Sequence, residues 1–149
     1  MILHPRMPEY LLSSERSDID IKFVHGYLSK ESYWATHIPF ALVEQAIMNS
    51  VCFGLFFKGA QIGFARIITD KSTFAYLADV FVLQEHRGRG LATWMLEHIH
   101  AHEVLQGLRR WMLLTRDAQS LYQKCGWEVL PEEQRTRCMQ REFKNPYQG

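Results

Sequence analysis

The sequence predicts an α/β fold of the mixed α+β kind, with a central sheet of about seven strands flanked by about four helices. Three observations predict it. Between residues 51 and 83 three apolar runs follow one another with only short turns between them, the pattern of adjacent strands. An amphipathic run begins at Leu91 directly after a glycine-punctuated loop, so a helix returns across those strands. From residue 111 onward, strand-like and helix-like runs alternate, so the two element types interleave in one sheet-and-helix unit.

Taken in order, Asp20-Ile21-Lys22-Phe23-Val24-His25 reads as a first strand. Residues 29–49 read as one or two helices broken near Pro39, whose ring removes a ladder donor. Strands follow at 51–57 and 61–69, joined by a short hairpin turn built on Gly59, and a longer strand spans 73–83. After the helix from Leu91, strands are expected at 111–115, 127–130 and 137–143, with a short helix that starts at Asp117 and ends at Gly126. The 149 residues form one expected domain, 1–149, in which residues 1–18 read as a loose N-terminal arm. With 47% apolar residues the chain can bury a core without disulfide or metal staples.

Charge and cysteine usage exclude several classes. Seventeen basic side chains face sixteen acidic ones, so no general drive toward nucleic acid or a membrane surface exists. The three cysteines, Cys52, Cys125 and Cys138, are odd in number and lack metal-ligand spacing, which makes a reduced, cytoplasmic setting the expectation. Residues 1–14 hold no continuous apolar segment of signal or membrane length. His98 and His102 share one helical face, but no third ligand is evident, so no metal is expected.

The most informative stretch is Gln84-Glu85-His86-Arg87-Gly88-Arg89-Gly90, set between an apolar strand and Leu91-Ala92-Thr93-Trp94. Two glycines let the backbone take positive φ and aim N–H groups at one point, while the following helix adds its free donors and positive dipole end. Arg87 and Arg89 add charge, and the whole suits a pyrophosphate. It is not the dinucleotide fingerprint, because Thr93 stands where a third glycine belongs, and it is not a Walker loop, which needs Gly-Lys-Ser/Thr. It closely resembles the Arg-Gly-x-Gly-Leu-Ala loop of the GNAT superfamily, the acyl-coenzyme A dependent N-acyltransferases. A second segment, Asp117-Ala118-Gln119-Ser120-Leu121-Tyr122 through Gly126-Trp127, resembles that family's second motif, with Trp127 in place of the usual Phe. Asp117 is a good N-cap and Gly126 a good C-cap on physical grounds as well. The resemblance covers roughly residues 51–130.

The resemblance implies a GNAT fold in which two strands splay to admit coenzyme A. The pantetheine arm would pair with the backbone at Phe81 and Val82, like an added strand. The pyrophosphate would lie on Arg87, Gly88, Arg89, Gly90 and Leu91, with Asp117, Ala118 and Tyr122 completing the cofactor site. It also implies transfer of acetyl from acetyl-coenzyme A to an amine by direct attack in a ternary complex. The alternative is a catalytically silent acyl-coenzyme A binding or sensing protein. The acceptor would be a small-molecule or protein amine, and because many members pair, a homodimer is an open option.

The chemistry sets its own requirements. An alkylammonium of pKa about 10.4 is neutral in about one molecule in 2,500 at pH 7, a penalty of about 4.6 kcal/mol. A base must therefore take its proton. Asp79 is the candidate, two residues before Phe81, where period-two alternation puts both on one face of the sheet. A helix tyrosine can protonate the leaving thiolate, which is the role the resemblance gives Tyr122. Acceptor contacts are expected from the segment after the first strand, where Tyr33 and Trp34 offer aromatic faces to a cation and His37 a second proton acceptor or a cap.

Overall fold

In the computed structural model, which describes residues 1–144, 146 and 147, two compact units divide the chain. The first, Met1–Leu114, holds a six-stranded sheet in sequence order. Its strands are β1 (Ile2–Leu3), β2 (Tyr10–Ser13), β3 (Val51–Phe57), β4 (Ala60–Thr69), β5 (Phe74–Val82) and β6 (Arg110–Met112). All neighbours are antiparallel except β5 and β6, which run parallel, so the sheet is mixed as expected. The β3–β4 turn has both central residues at positive φ, Lys58 at 49° and Gly59 at 86°, as a two-residue hairpin with the sheet's twist requires.

Two expectations for the first unit are corrected. Residues 20–25 are not a strand but the start of α1 (Ile21–Lys30). Asp20 caps it by accepting from the Phe23 N–H at 3.1 Å, and Val24 and Leu28, four apart, turn into the core. An apolar cluster at 21, 23 and 24 fits either period, and burial of the i, i+4 pair decided the matter. Residues 1–18 are not a loose arm throughout, since β2 pairs along its full length with β3 and Tyr10 and Leu12 are buried. Of the helical stretch expected over 29–49, only its ends form: α1 stops at Lys30, residues 31–39 are a loop held by side-chain bonds, and α2 (Phe40–Met48) starts after Pro39, whose carbonyl accepts from Leu42 and Val43.

The two helices cover one sheet face, packing Val24, Leu28, Val43 and Ile47 on Cys52, Phe64 and Phe81. α3 (Leu91–Ala101) contributes the buried Leu91, Trp94, Met95, Leu96 and Ile99 and packs on β3 and β5.

The second unit, from Thr115 onward, contains α4 (Gln119–Lys124) and α5 (Glu132–Arg135). Gly126, at φ 92°, ends α4 with two return bonds, Gly126 N–H to Gln123 and Trp127 N–H to Tyr122, the expected C-cap. Asp117 is not the N-cap: the Thr115 hydroxyl accepts from the Ala118 N–H at 3.1 Å instead. Among the described residues, 127–130 and 137–143 form no strand, which leaves six strands rather than seven. Pro131 starts α5, and Val129 and Phe143 stay exposed, so neither stretch gains the burial that stabilises a pairing.

Candidate active site

Strands β5 and β6 pair only at Phe74–Arg110, Ala75–Trp111 and Tyr76–Met112. Beyond Tyr76, β5 runs on to Val82 with no β6 partner, so its outer edge is open where splaying was expected. Phe81 and Val82 lie on this stretch with buried side chains, so only their backbone is available to a ligand. Opposite, β4 pairs Arg66 with Ala78 but Phe64 with Phe81, so an extra residue bulges from β5. The bulge holds Asp79 at φ 55°, a strained value for a residue with a Cβ. Because Phe64 and Arg66 are two apart on β4, their partners Phe81 and Ala78 share a face. Strict alternation therefore fails across the bulge, yet Asp79 still reaches the α1–α2 side.

Each oxygen of the Asp79 carboxylate accepts one hydrogen bond there. Its Oδ2 accepts from Arg66 Nε at 2.8 Å and its Oδ1 from the Trp34 indole N–H at 2.7 Å. Arg66 also donates to the Ser50 hydroxyl at 3.2 Å. Burial, and then the Asp79 charge, push the Tyr76 phenol up. Burial also pushes the Cys52 thiol, opposite Arg66 in the ladder, up to about 12, so it is no nucleophile.

The loop carrying Tyr33, Trp34 and His37 is knitted to α1. Ser32 Oγ donates to the Leu28 carbonyl and accepts from the Ala35 N–H, and the His37 N–H reaches the Ser29 carbonyl. That leaves Tyr33 and Trp34 exposed and edge-to-face at 5.0 Å. His37 turns the loop at φ 69°, and its ring takes no part in the bonds that join Trp34 to Asp79.

The glycine loop has the predicted form. Gly88 and Gly90 lie at φ 77° and 75°, and Gly90 starts α3 with no side-chain cap, which leaves the helix's first donors for a ligand. A Cβ built on either glycine meets nothing within 4 Å, so the space above the loop is open. Arg87 is anchored by Nε to the Val82 carbonyl at 2.8 Å and by Nη2 to the Tyr27 hydroxyl at 3.1 Å. Arg89 donates to the Tyr10 hydroxyl at 3.0 Å, and that hydroxyl pairs with His86 Nδ1 at 2.6 Å. Strand β2, read in the sequence as part of an arm, thus braces the loop. Tyr10, Tyr27 and Arg66 were missed by sequence reasoning. Only Arg66 gave a signal, as a lone charge inside the apolar run 62–68.

In the second unit Tyr122 is buried and packs on Trp127 with ring centroids 5.9 Å apart. The histidines of α3 and the turn after it are used in packing: His98 on Trp94, His100 on Trp111 and His102 on Phe53. Among the described residues no three His, Cys, Asp or Glu side chains are placed to share a metal, and no helix is long and apolar enough to cross a membrane.

A mixed sheet whose parallel pair parts beside a glycine-turned, arginine-flanked helix start is the arrangement that the GNAT resemblance implies. The sequence profile of the Acetyltransferase (GNAT) domain matches residues 48–129, more than half of the chain. The protein belongs to the GNAT acetyltransferase family. A relative from Gibberella zeae, with a provisional acetyltransferase name, is 36% identical over 78% of this chain and 77% of its own. A GNAT-family crystal structure from Xanthomonas campestris is 45% identical, with a TM-score of 0.89 over 96% of this chain and 99% of that one. Glucosamine-6-phosphate N-acetyltransferase from Arabidopsis thaliana shares the fold alone, at 14% identity and a TM-score of 0.65 over 91% of this chain and 99% of that one.

Proposed function

We propose that the protein transfers acetyl from acetyl-coenzyme A to an amine within one ternary complex. The observation that carries this reading is the loop from Arg87 to Leu91, with two positive-φ glycines under open space at an uncapped helix start. The residues present fit the ligand. The backbone N–H groups of 88–91 with Arg87 and Arg89 suit a pyrophosphate, and the β5 edge beyond Tyr76, where β6 no longer pairs and the Val82 carbonyl keeps one lone pair beside its bond from Arg87, suits an amide-bearing arm at Phe81 and Val82. When bound, acetyl-coenzyme A supplies a thioester whose carbonyl carbon accepts an amine.

The chain's own work is positioning and proton handling. Trp34 and Arg66 hold the Asp79 carboxylate in one orientation, and each oxygen keeps a second lone pair toward an incoming N–H. Asp79 accepts the proton that the attacking nitrogen loses as its bond to the carbonyl carbon forms. Tyr122, by resemblance of residues 117–127 to the family's second motif, donates a proton to the departing thiolate, while Asp117 and Ala118 carry that motif's cofactor contacts. Tyr33 and Trp34 provide the acceptor's aromatic surface, with His37 at its rim.

The test is release of free thiol from acetyl-coenzyme A across an amine panel. Tyr122→Phe is expected to lower kcat about 100-fold, and the Arg87→Ala, Arg89→Ala double variant to raise KM for acetyl-coenzyme A about tenfold or more. A protein that binds acetyl-coenzyme A and turns over no amine would overturn the reading in favour of a silent binder.

A further inference from the structure

We infer that the acceptor is a zwitterion, an α-amino acid with an apolar side chain, whose carboxylate is held by Arg66 and whose amine faces Asp79. The inference rests on the acetyltransferase reading for the chemistry, but its core is a binding site that stands without it.

Arg66 is an unusual residue for its place. It sits in the middle of β4, flanked by Ala65 and Ile67, which are both fully buried, and its own side chain is only 17% exposed. Desolvating a guanidinium is expensive, and removing most of its water leaves each remaining N–H in need of an acceptor. A guanidinium has five N–H donors. Asp79 takes one and Ser50 another, leaving three without an acceptor among the described residues. Among the described residues no fully buried side-chain nitrogen or oxygen lacks a partner, so the remaining Nη donors reach the accessible surface, with the guanidinium set between Asp79 in the β5 bulge and Ser50 after α2. A planar fork of donors in a partly dry setting selects a carboxylate.

The carboxylate of Asp79 stands beside that fork, held at Oδ1 by Trp34 and at Oδ2 by Arg66. An Arg–Asp pair fixed at the lip of a site presents one positive and one negative pole a few ångströms apart. That is the complement of an α-amino acid, whose ammonium and carboxylate are joined through a single carbon. A ligand with only an amine would satisfy Asp79 and leave the Arg66 edge to water. A purely anionic ligand would meet Asp79 repulsively. Beside the pair, Trp34, which donates to Asp79, is 41% exposed, and Tyr33, edge-to-face with Trp34, is 48% exposed. Such a cluster of exposed rings at a polar pair is a surface for an apolar side chain.

The experiment changes the ligand before it changes the protein. Binding of L-leucine and L-phenylalanine to the coenzyme A loaded protein is measured by calorimetry against 3-methylbutylamine and 2-phenylethylamine, which lack only the carboxylate, and against L-phenylalaninamide. The amino acids are expected to bind about 10- to 100-fold more tightly than their decarboxylated or amide partners. Arg66→Gln is expected to erase that preference while leaving coenzyme A affinity unchanged, and Arg66→Lys, which keeps the charge but not the fork, to keep only part of it. Equal binding with and without the carboxylate, or no amino acid binding by a protein that holds coenzyme A, would overturn the inference. Leucine bound through Arg66 without thiol release would uphold the inference and overturn the acetyltransferase reading. Thiol release from 3-methylbutylamine as fast as from leucine would do the reverse.

Discussion

Replacing Gly90 by alanine adds one methyl group where no atom lies within 4 Å, and so does replacing Gly26, in the middle of α1. The two substitutions are matched for space and opposed in backbone, and they isolate what the loop glycine does. At φ 75° an alanine pays about 1–2 kcal/mol for the left-handed conformation, partly offset by about 0.5 kcal/mol from a less flexible unfolded chain. The net expectation for Gly90→Ala is a loss of about 0.5–1.5 kcal/mol, or about 2–5 °C in Tm for a chain of this length. Gly26 has ordinary helical backbone, so Gly26→Ala is expected to gain about 0.8–1 kcal/mol from helix propensity. Urea unfolding with m held constant reads both, and Gly90→Asn should fall between glycine and alanine because asparagine tolerates the left-handed region. If both alanines shift stability in the same direction, the claim that Gly90 is required by conformation is wrong. The new methyl at Gly90 also stands in the open space above the loop, so acetyl-coenzyme A affinity should fall about tenfold in that variant and stay unchanged in Gly26→Ala.

Three further outcomes follow from particular contacts. Tyr10→Phe removes the hydroxyl between Arg89 and His86 from a buried site, so it should cost about 1–3 kcal/mol and raise KM for acetyl-coenzyme A with kcat little changed; an unchanged KM would mean that β2 does not brace the loop. With a thiol-reactive chromophore, exposed Cys138 should label at once, whereas Cys52, buried and with its thiol pushed up to about 12, should label only on unfolding. Burial holds the His100 imidazole below its usual range, so the unfolded chain binds a proton there that the native state refuses. Its stabilising contribution is complete above pH about 6.5 and is lost as pH falls from there through the lowered native value. His100→Leu should flatten the stability profile in that window, and an unaltered slope would count against the assignment.

Much of the site was legible because it is local. The loop from Arg87 to Leu91, the two glycines at positive φ, the β3–β4 hairpin at Gly59 and the cap at Gly126 each depend on a few consecutive residues, and backbone sterics write such features directly into the sequence. The strands from 51 to 82 were equally readable, since three short apolar runs parted only by brief turns leave no room for a helix to return between them.

What the chain could not declare by itself is what depends on distant partners. Residues 20–25 have a composition that fits either period, and only the packing of Val24 and Leu28 on the sheet made them helix. Tyr10 gave no sign that its hydroxyl would meet residues 76 and 79 positions away. Nothing in the run 74–82 announced the bulge that breaks its alternation and strains Asp79, or the arginine and indole that hold its carboxylate. The sequence by itself determined the glycine loop and the order of the central strands, because steric and periodic rules act over a few residues, and it carried the family in the resemblance of its two motifs. The tertiary structure alone decided the Arg66–Asp79–Trp34 cluster and the bracing of the loop by β2, because hydrogen bonds and ion pairs form between groups brought together only when the sheet closes.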